Sequence, residues 1–103
     1  MCGIAGVFTT NKNIRHQELA HQLIASLLHR GPDYSNNIKV SEFCSLSHAR
    51  LKIIDLSDNA NQPMYCYQKR YVIVFNGEIY NYKQLKLELQ RVAYQSSHKP
   101  YPF

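Results

Sequence analysis

The chain opens with MCGIAGVF, residues 1–8. This run is apolar, short and rich in small residues, which favours a buried β-strand over residues 2–8 rather than a helix. It is too short for the core of a signal peptide, and no basic residue precedes it. No later stretch has the length of a membrane-spanning helix. The sequence therefore predicts a soluble, cytoplasmic protein with no membrane partner.

Cys2 is the first residue in this run with a possible chemical use. Removal of Met1 would leave Cys2 with a free α-amine, and such an amine ordinarily has a pKa of about 7.7 to 8.0, which suits a general base. One residue would then hold both a thiol nucleophile and its base. The alternative is a small second residue without any function, and position alone favours that alternative.

Beyond the first strand, the pattern predicts two helices and several strands. Apolar residues recur at three- and four-residue spacing over 15–29, which predicts an amphipathic helix ending near Gly31 and Pro32. Strands are predicted over 37–40 and 43–51, followed by a hairpin with arms 64–67 and 71–75, and then a second helix from residue 82 to about 93. This order indicates an α+β fold.

Two motifs at strand ends suggest binding chemistry. In FNGEIYN, residues 75–81, the Asn76 amide and the Gly77 N–H could both donate to one oxyanion, although an ordinary turn has the same sequence. Arg50 ends a strand, and its planar fork of donors suits a substrate carboxylate, although such an arginine is more often surface charge. We expect strand 2–8 to lie beside the strand that ends at Phe75, so that Cys2, Asn76 and Gly77 meet and Arg50 opens onto the same pocket.

Two further motif positions stay undecided or receive no role. HRGPD, residues 29–33, is either a functional loop or a helix terminus, and its spacing does not decide between them. His48 is interpreted as a lone polar residue on a half-buried strand, without a catalytic role.

Composition narrows the possible partners. The 103 residues suffice for one small domain, and the net charge of +5 is spread from Lys12 to Lys99 without a basic block, so no nucleic-acid partner is expected. The three cysteines form neither an even disulfide set nor a close metal-binding pair, so no metal site is predicted. Cys44 and Cys66 are expected to be inert buried thiols.

Taken together, five motifs resemble the class II glutamine amidotransferase domain of asparagine synthetases. The resemblance covers residues 1–94, and residues 95–103 are interpreted as a divergent tail. The motifs are CGIAG at 2–6, HRGPD at 29–33, SHARL with IIDLS at 47–57, QPM at 62–64 and NGEIYN at 76–81.

This resemblance implies an amino-terminal-nucleophile hydrolase fold, an αββα sandwich of which this chain holds the first half only. It also implies that Cys2 attacks the side-chain amide of glutamine, that Asn76 and Gly77 form the oxyanion hole, that Arg50 holds the substrate carboxylate and that Glu78 helps to hold its amino group. The chain itself would need no cofactor. ATP and magnesium would act in a separate synthetase domain, which would use the ammonia to amidate aspartate.

Two alternatives remain beside a glutaminase fragment. The chain could be an inactive remnant or small interaction module, or a separate subunit completed by another chain. The family has an aspartate that contacts the substrate amino group in a later motif, whereas this sequence has no aspartate after Asp58. We therefore expect the isolated chain to hydrolyse glutamine slowly or not at all.

Overall fold

The computed structural model describes residues 1–53 and 55–97, with burial described as far as residue 92. Two small antiparallel sheets and two helices make up the described part. A one-turn 3-10 helix over Asp58–Ala60 lies between the two sheets in chain order. The other elements in chain order are β1 (Gly3–Phe8), α1 (His16–Ala25), β2 (Tyr34–Ser41), β3 (Cys44–Arg50), β4 (Met64–Tyr65), β5 (Val72–Ile73) and α2 (Tyr82–Ser97).

β3 is the central strand of the larger sheet, with β1 on one side and β2 on the other. β2 and β3 form a hairpin across a two-residue turn, and β1 takes the remaining edge of β3 with Gly3 opposite Ala49. The prediction that β1 lies beside the strand ending at Phe75 is therefore wrong. That segment follows β5, which pairs with β4 in a separate sheet.

Helix α1 covers one face of the larger sheet. Ser47 Oγ donates a hydrogen bond to the Ala20 carbonyl at 3.2 Å, which ties β3 to the helix. β1 also lies close to the segment that follows α1, because a Cβ added to Gly3 would lie 2.9 Å from the Leu27 Cβ. Among the residues whose burial is described, the buried apolar side chains are Ala20, Ile24 and Ala49.

The opposite face of the sheet carries Cys2, His48 and Arg50, because alternate residues of a strand point to opposite sides. His48 and Arg50 are buried, whereas Ile4 and Phe8 on the same face are exposed at 44% and 75%. Cys2, His48 and Arg50 thus share one end of a partly covered face.

α1 ends earlier than the apolar spacing predicted, at Ala25 rather than near residue 29. After it the chain continues in tight turns, in which the Arg30 N–H donates to the Leu27 carbonyl and the Gly31 N–H donates to the Leu28 carbonyl. Such three-residue closures tighten the chain as it leaves a helix while keeping its apolar side chains on one side. The apolar periodicity therefore persists beyond the helix itself.

The second sheet is shorter than predicted. Only two residues pair in each of β4 and β5, although the Cys66 N–H still donates to the Tyr71 carbonyl at 3.0 Å. The turn between them places Lys69 at a φ of 54°. Beyond β5, the Phe75 N–H donates to Gln62 Oε1 at 2.6 Å and not to β4.

The α+β class predicted from the sequence is confirmed. α2 extends to Ser97, beyond its predicted end near residue 93. From residue 98 onwards, the predicted divergent tail lies outside the described residues. No helix in the described part of the chain is long and apolar enough to cross a membrane.

Candidate active site at the amino terminus

Cys2 lies immediately before β1 and is held from two sides. The register that pairs Gly3 with Ala49 places Cys2, one residue further, opposite Arg50. The Leu51 N–H donates to Cys2 Sγ at 3.3 Å, and Arg30 Nε donates to the Cys2 carbonyl at 3.1 Å. Cys2 is half-buried, so its thiol is positioned and still partly open to solvent.

The HRGPD segment, residues 29–33, holds this end of the sheet together through hydrogen bonds of Arg30 and Asp33. Its spacing in the sequence does not reveal this role. Arg30 fixes the Cys2 backbone, as described above. The Asp33 N–H donates to the Arg50 carbonyl at 3.0 Å, and Asp33 Oδ2 accepts the Lys52 N–H at 2.8 Å. Gly31 is buried against the backbone of Ala49 and Arg50. The motif therefore connects the nucleophile strand to the end of β3.

Arg50 ends β3 and is buried, with 5% of its surface exposed. Nη1 donates to the Ser57 carbonyl and to Asn61 Oδ1, each at 2.6 Å, and Nη2 donates to the Asp55 carbonyl. Three donors thus hold the loop of residues 55–61, and a guanidinium has five. Its opening onto a substrate pocket stays a prediction.

Asn76, Gly77 and Glu78 follow two residues after the end of β5. Asn76 is half-buried, whereas Gly77 and Glu78 are exposed. A Cβ on Gly77 would lie 2.8 Å from Phe75 Cζ, so the Phe75 ring packs over this glycine. Within the described residues no hydrogen bond joins Cys2 to this segment, and the oxyanion-hole assignment stays a prediction.

His48 differs most from its expected setting. Its side chain is fully buried, and neither ring nitrogen has a hydrogen-bond partner among the described residues. Burial lowers the pKa of His48, the Phe75 backbone opposes this shift, and the charge on Arg50 adds to it. The burial follows from the central position of β3, which local patterning did not reveal.

A cavity of about 390 Å³ lies away from Cys2, at the other end of β1. Thr9, His16 and Phe43 are among its lining residues. Both ring nitrogens of His16 have hydrogen-bond partners within the protein, since Nδ1 lies 2.7 Å from Ser45 Oγ and Nε2 lies 2.8 Å from the Glu42 carbonyl oxygen. The cavity has no part in the chemistry of Cys2. Across the described residues, no group of three potential metal ligands comes together.

Cys66 departs from the expectation of an inert buried thiol. It is half-buried, and its Sγ accepts the Tyr71 N–H at 3.2 Å. This bond is the largest influence on the thiol and lowers its pKa, with smaller contributions in the same direction from the backbones of Arg70 and Gln68, which together outweigh burial. The turn between β4 and β5 thus favours the thiolate.

We expect iodoacetamide at pH 7 to alkylate Cys66 faster in the folded chain than in the same chain unfolded by urea. A lowered pKa increases the thiolate fraction, and the thiolate is the reactive form. Peptide mass spectrometry over a time course measures the rate, and Cys44 in the same digests controls for general accessibility. Slower alkylation of Cys66 in the folded chain would contradict this expectation.

The fold and the position of Cys2 together define a class of protein. It is an α+β domain in which backbone and arginine contacts hold a cysteine, Cys2, beside a buried arginine. The family profile described as a glutamine amidotransferase domain matches residues 1–99. The chain belongs to this glutamine amidotransferase domain family.

Curated relatives narrow the similarity further. The chain is 39% identical over 97 residues to asparagine synthetase [glutamine-hydrolyzing] 1 of Bacillus subtilis (strain 168), covering 91% of this chain and 15% of the relative. It is 42% identical over 89 residues to asparagine synthetase B [glutamine-hydrolyzing] of Escherichia coli (strain K12), covering 85% and 16%. It is 38% identical over 97 residues to the Zea mays asparagine synthetase [glutamine-hydrolyzing], covering 93% and 16%. The chain thus spans about one sixth of the length of these relatives.

Proposed function

We propose that this chain carries the glutamine-hydrolysing site of an asparagine-synthetase-type system, with Cys2 as nucleophile. The observation that supports this proposal most directly is the position of Cys2. Its thiol accepts a backbone hydrogen bond from Leu51, its carbonyl accepts one from Arg30, and the register of β1 places it opposite Arg50. A glutamine amidotransferase domain needs a nucleophile fixed in this way.

The proposed reaction begins after removal of Met1. The neutral α-amine of Cys2 takes the thiol proton, and the sulfur attacks the side-chain amide carbon of glutamine. The resulting oxyanion accepts hydrogen bonds from the Asn76 side chain and the Gly77 N–H. The carbon–nitrogen bond then breaks as the proton passes to the leaving nitrogen, which releases ammonia. Water hydrolyses the thioester, yielding glutamate and restoring the thiol.

Substrate orientation is assigned to two charged residues. In this proposal, Arg50 donates the remaining N–H groups of its guanidinium to the glutamine α-carboxylate, and Glu78 accepts from the α-ammonium group. An arginine fork matches the planar carboxylate, and the burial of Arg50 reduces the screening of its charge by water. This pairing would distinguish an amino acid from a simple amide.

The wider system is part of the same proposal. The relatives are named as asparagine synthetases, and we propose that the released ammonia passes to a synthetase domain or subunit that amidates aspartate. ATP and magnesium belong to that step, while the hydrolytic site uses side-chain and backbone groups of this chain. The uncovered face with Ile4 and Phe8 supports a second sheet stacked on the first, with helices outside both. The proposed location is the cytoplasm.

We expect that 6-diazo-5-oxo-L-norleucine, a diazoketone analogue of glutamine, labels Cys2 alone among the three cysteines. The reagent alkylates a thiol only where the glutamine site holds it, because its orientation depends on the amino acid groups. Intact-mass and peptide measurements locate the label, and they also test for the expected absence of Met1. Labelling should disappear in Cys2→Ala and persist in Cys66→Ala.

Two controls give this experiment its specificity. The D-isomer should label far more slowly, and excess L-glutamine should protect the site. Equal labelling of all three cysteines, or labelling of Cys2 that glutamine does not slow, would favour an inactive remnant or interaction module. Retention of Met1 in the cellular protein would also exclude the proposed mechanism, because the Cys2 nitrogen would be an amide.

A further inference from the structure

The buried imidazole of His48 is the least satisfied polar group described in the structure. Its side chain is fully buried, and both ring nitrogens lack a hydrogen-bond partner among the described residues. A buried polar group left unpaired costs about 1 to 3 kcal/mol. Native proteins rarely keep such a group without a reason, so His48 needs an account beyond packing.

Its place in the sheet shows which groups His48 can serve. It is paired with Ile4 on β1 and with Asn36 on β2, in the middle of the three-stranded sheet. Its ring lies on the face that also carries Cys2 and Arg50, because residues two apart on a strand share a face. Ser45 and Ser47 use the other face, where they bond to α1 and its surroundings. His48 therefore faces the candidate active site rather than the helix.

The Phe75 backbone is the group whose effect on the His48 pKa opposes that of burial. The Phe75 N–H is already used, since it donates to Gln62 Oε1 at 2.6 Å. Its interaction with His48 favours the protonated ring, which is the effect of a carbonyl oxygen close to a ring N–H. The Phe75 carbonyl belongs to the peptide bond that leads into Asn76, the first of the two proposed oxyanion donors.

We propose, resting on the function proposed above, that His48 is a positioning residue that donates a ring N–H to the Phe75 carbonyl and thereby holds Asn76 and Gly77 over Cys2. In the structure neither ring nitrogen of His48 makes this hydrogen bond. Hydrogen bonds of an active site are often long or poorly aligned without substrate and tighten in the complex. Gln62 and His48 would then hold the Phe75 peptide groups from both sides.

This role also fits the charge of the site. Burial and the adjacent guanidinium of Arg50 both lower the pKa of His48, so the ring is neutral at pH 7. A neutral imidazole has one N–H donor, which is enough for the Phe75 carbonyl. It also avoids a second positive charge beside Arg50, whose charge is assigned to the substrate carboxylate. His48 contacts neither the reacting bond nor the thiol in this proposal.

The test uses four variants of the full chain. His48→Phe keeps a buried ring without a hydrogen bond, while His48→Asn and His48→Gln each restore a donor near one of the two ring nitrogens. Ser47→Ala is the matched control, since it removes a buried polar group from the same strand on the opposite face. Backbone hydrogen exchange, read by mass spectrometry, is measured over residues 76–78 and over β2.

We expect His48→Phe to raise exchange at residues 76–78 about tenfold, with β2 changed much less, because one anchoring hydrogen bond is lost. Labelling of Cys2 by 6-diazo-5-oxo-L-norleucine should slow about tenfold, while its alkylation by iodoacetamide stays unchanged. One of His48→Asn and His48→Gln should restore both properties. Ser47→Ala should leave the ratio of the two labelling rates unchanged.

The outcomes separate this inference from the function on which it rests. If the unchanged chain is not labelled by the diazoketone, the proposed function fails, and hydrogen exchange alone decides the role of His48. If His48→Phe leaves exchange at 76–78 unchanged, or raises it equally throughout the chain, the positioning role is wrong. Should His48→Phe not fold, ¹⁵N NMR of the unchanged protein decides: one neutral tautomer with a slowly exchanging ring N–H supports the role, and a ring exchanging freely with solvent overturns it.

Discussion

Replacement of Gly31 by alanine is expected to destabilise the chain by about 3 kcal/mol or more and to displace the nucleophile strand. An added Cβ would collide with the carbonyl group of Ala49 and would lie 2.6 Å from the Arg50 nitrogen. These are backbone atoms of the central strand, so no side-chain rotation relieves the overlap. The backbone of Gly31 does not have a positive φ, so the cost comes from close approach alone.

Urea denaturation followed by circular dichroism measures this loss, and Gly6→Ala is the matched control. A Cβ on Gly6 would lie 3.0 Å from Leu46 Cδ2, the end of a flexible side chain that can move. Gly6→Ala should therefore change stability by about 1 kcal/mol or less, since alanine also restricts the unfolded chain. Similar stability of the two variants would show that the turn at Gly31 can move away from β3.

The same glycine illustrates what the sequence predicts and what it does not. Local spacing predicts that Gly31 lies just past the end of a helix. Its actual constraint is contact with Ala49 and Arg50, which are distant in sequence and adjacent only after β3 becomes the central strand. The same holds for Arg30 and Asp33. Their hydrogen-bond partners, Cys2 and Lys52, are distant in sequence and cannot be identified from spacing. The motif was recognisable, but its physical role required the fold.

Element types were largely predictable because each rests on local chemistry. β1, both strands of the first hairpin and both helices appear close to their predicted positions. Strand order was not predictable, since β1 pairs with β3 instead of lying beside the segment that ends at Phe75. The unpaired burial of His48 follows from that order, because a ring on an edge strand would reach water. Which residues lie next to one another in the candidate site therefore depends on how all three strands of the larger sheet pair.

Arg50→Lys is expected to release the loop of residues 55–61 and to reduce stability by about 3 kcal/mol. Arg50 donates to two backbone carbonyls and to Asn61 Oδ1 through two separate nitrogens. A lysine keeps the charge but has one compact ammonium group, which cannot span these acceptors. Each lost hydrogen bond to a charged group costs about 1.5 to 3 kcal/mol before water compensates at the exposed loop.

Limited proteolysis with an endoproteinase that cleaves before aspartate tests this release, because Asp55 and Asp58 lie in the loop. Cleavage there should become much faster in Arg50→Lys, whereas Arg91→Lys on exposed α2 should match the unchanged chain. Equal loop cleavage in all three proteins would mean that the contacts of Arg50 contribute little to holding the loop.

The chemical consequence of Arg50→Lys separates the anchoring role of Arg50 from its proposed substrate role. If the guanidinium also binds the glutamine carboxylate, labelling of Cys2 by the diazoketone should fall about 10- to 100-fold, in line with the loss of a charge-assisted pair. Alkylation by iodoacetamide, which has no carboxylate, should change little, because Cys2 keeps its hydrogen bonds to the Leu51 N–H and to Arg30 Nε. If both reagents slow equally, Arg50 acts only by holding the loop and Cys2 in place, and the carboxylate must be bound by another cation.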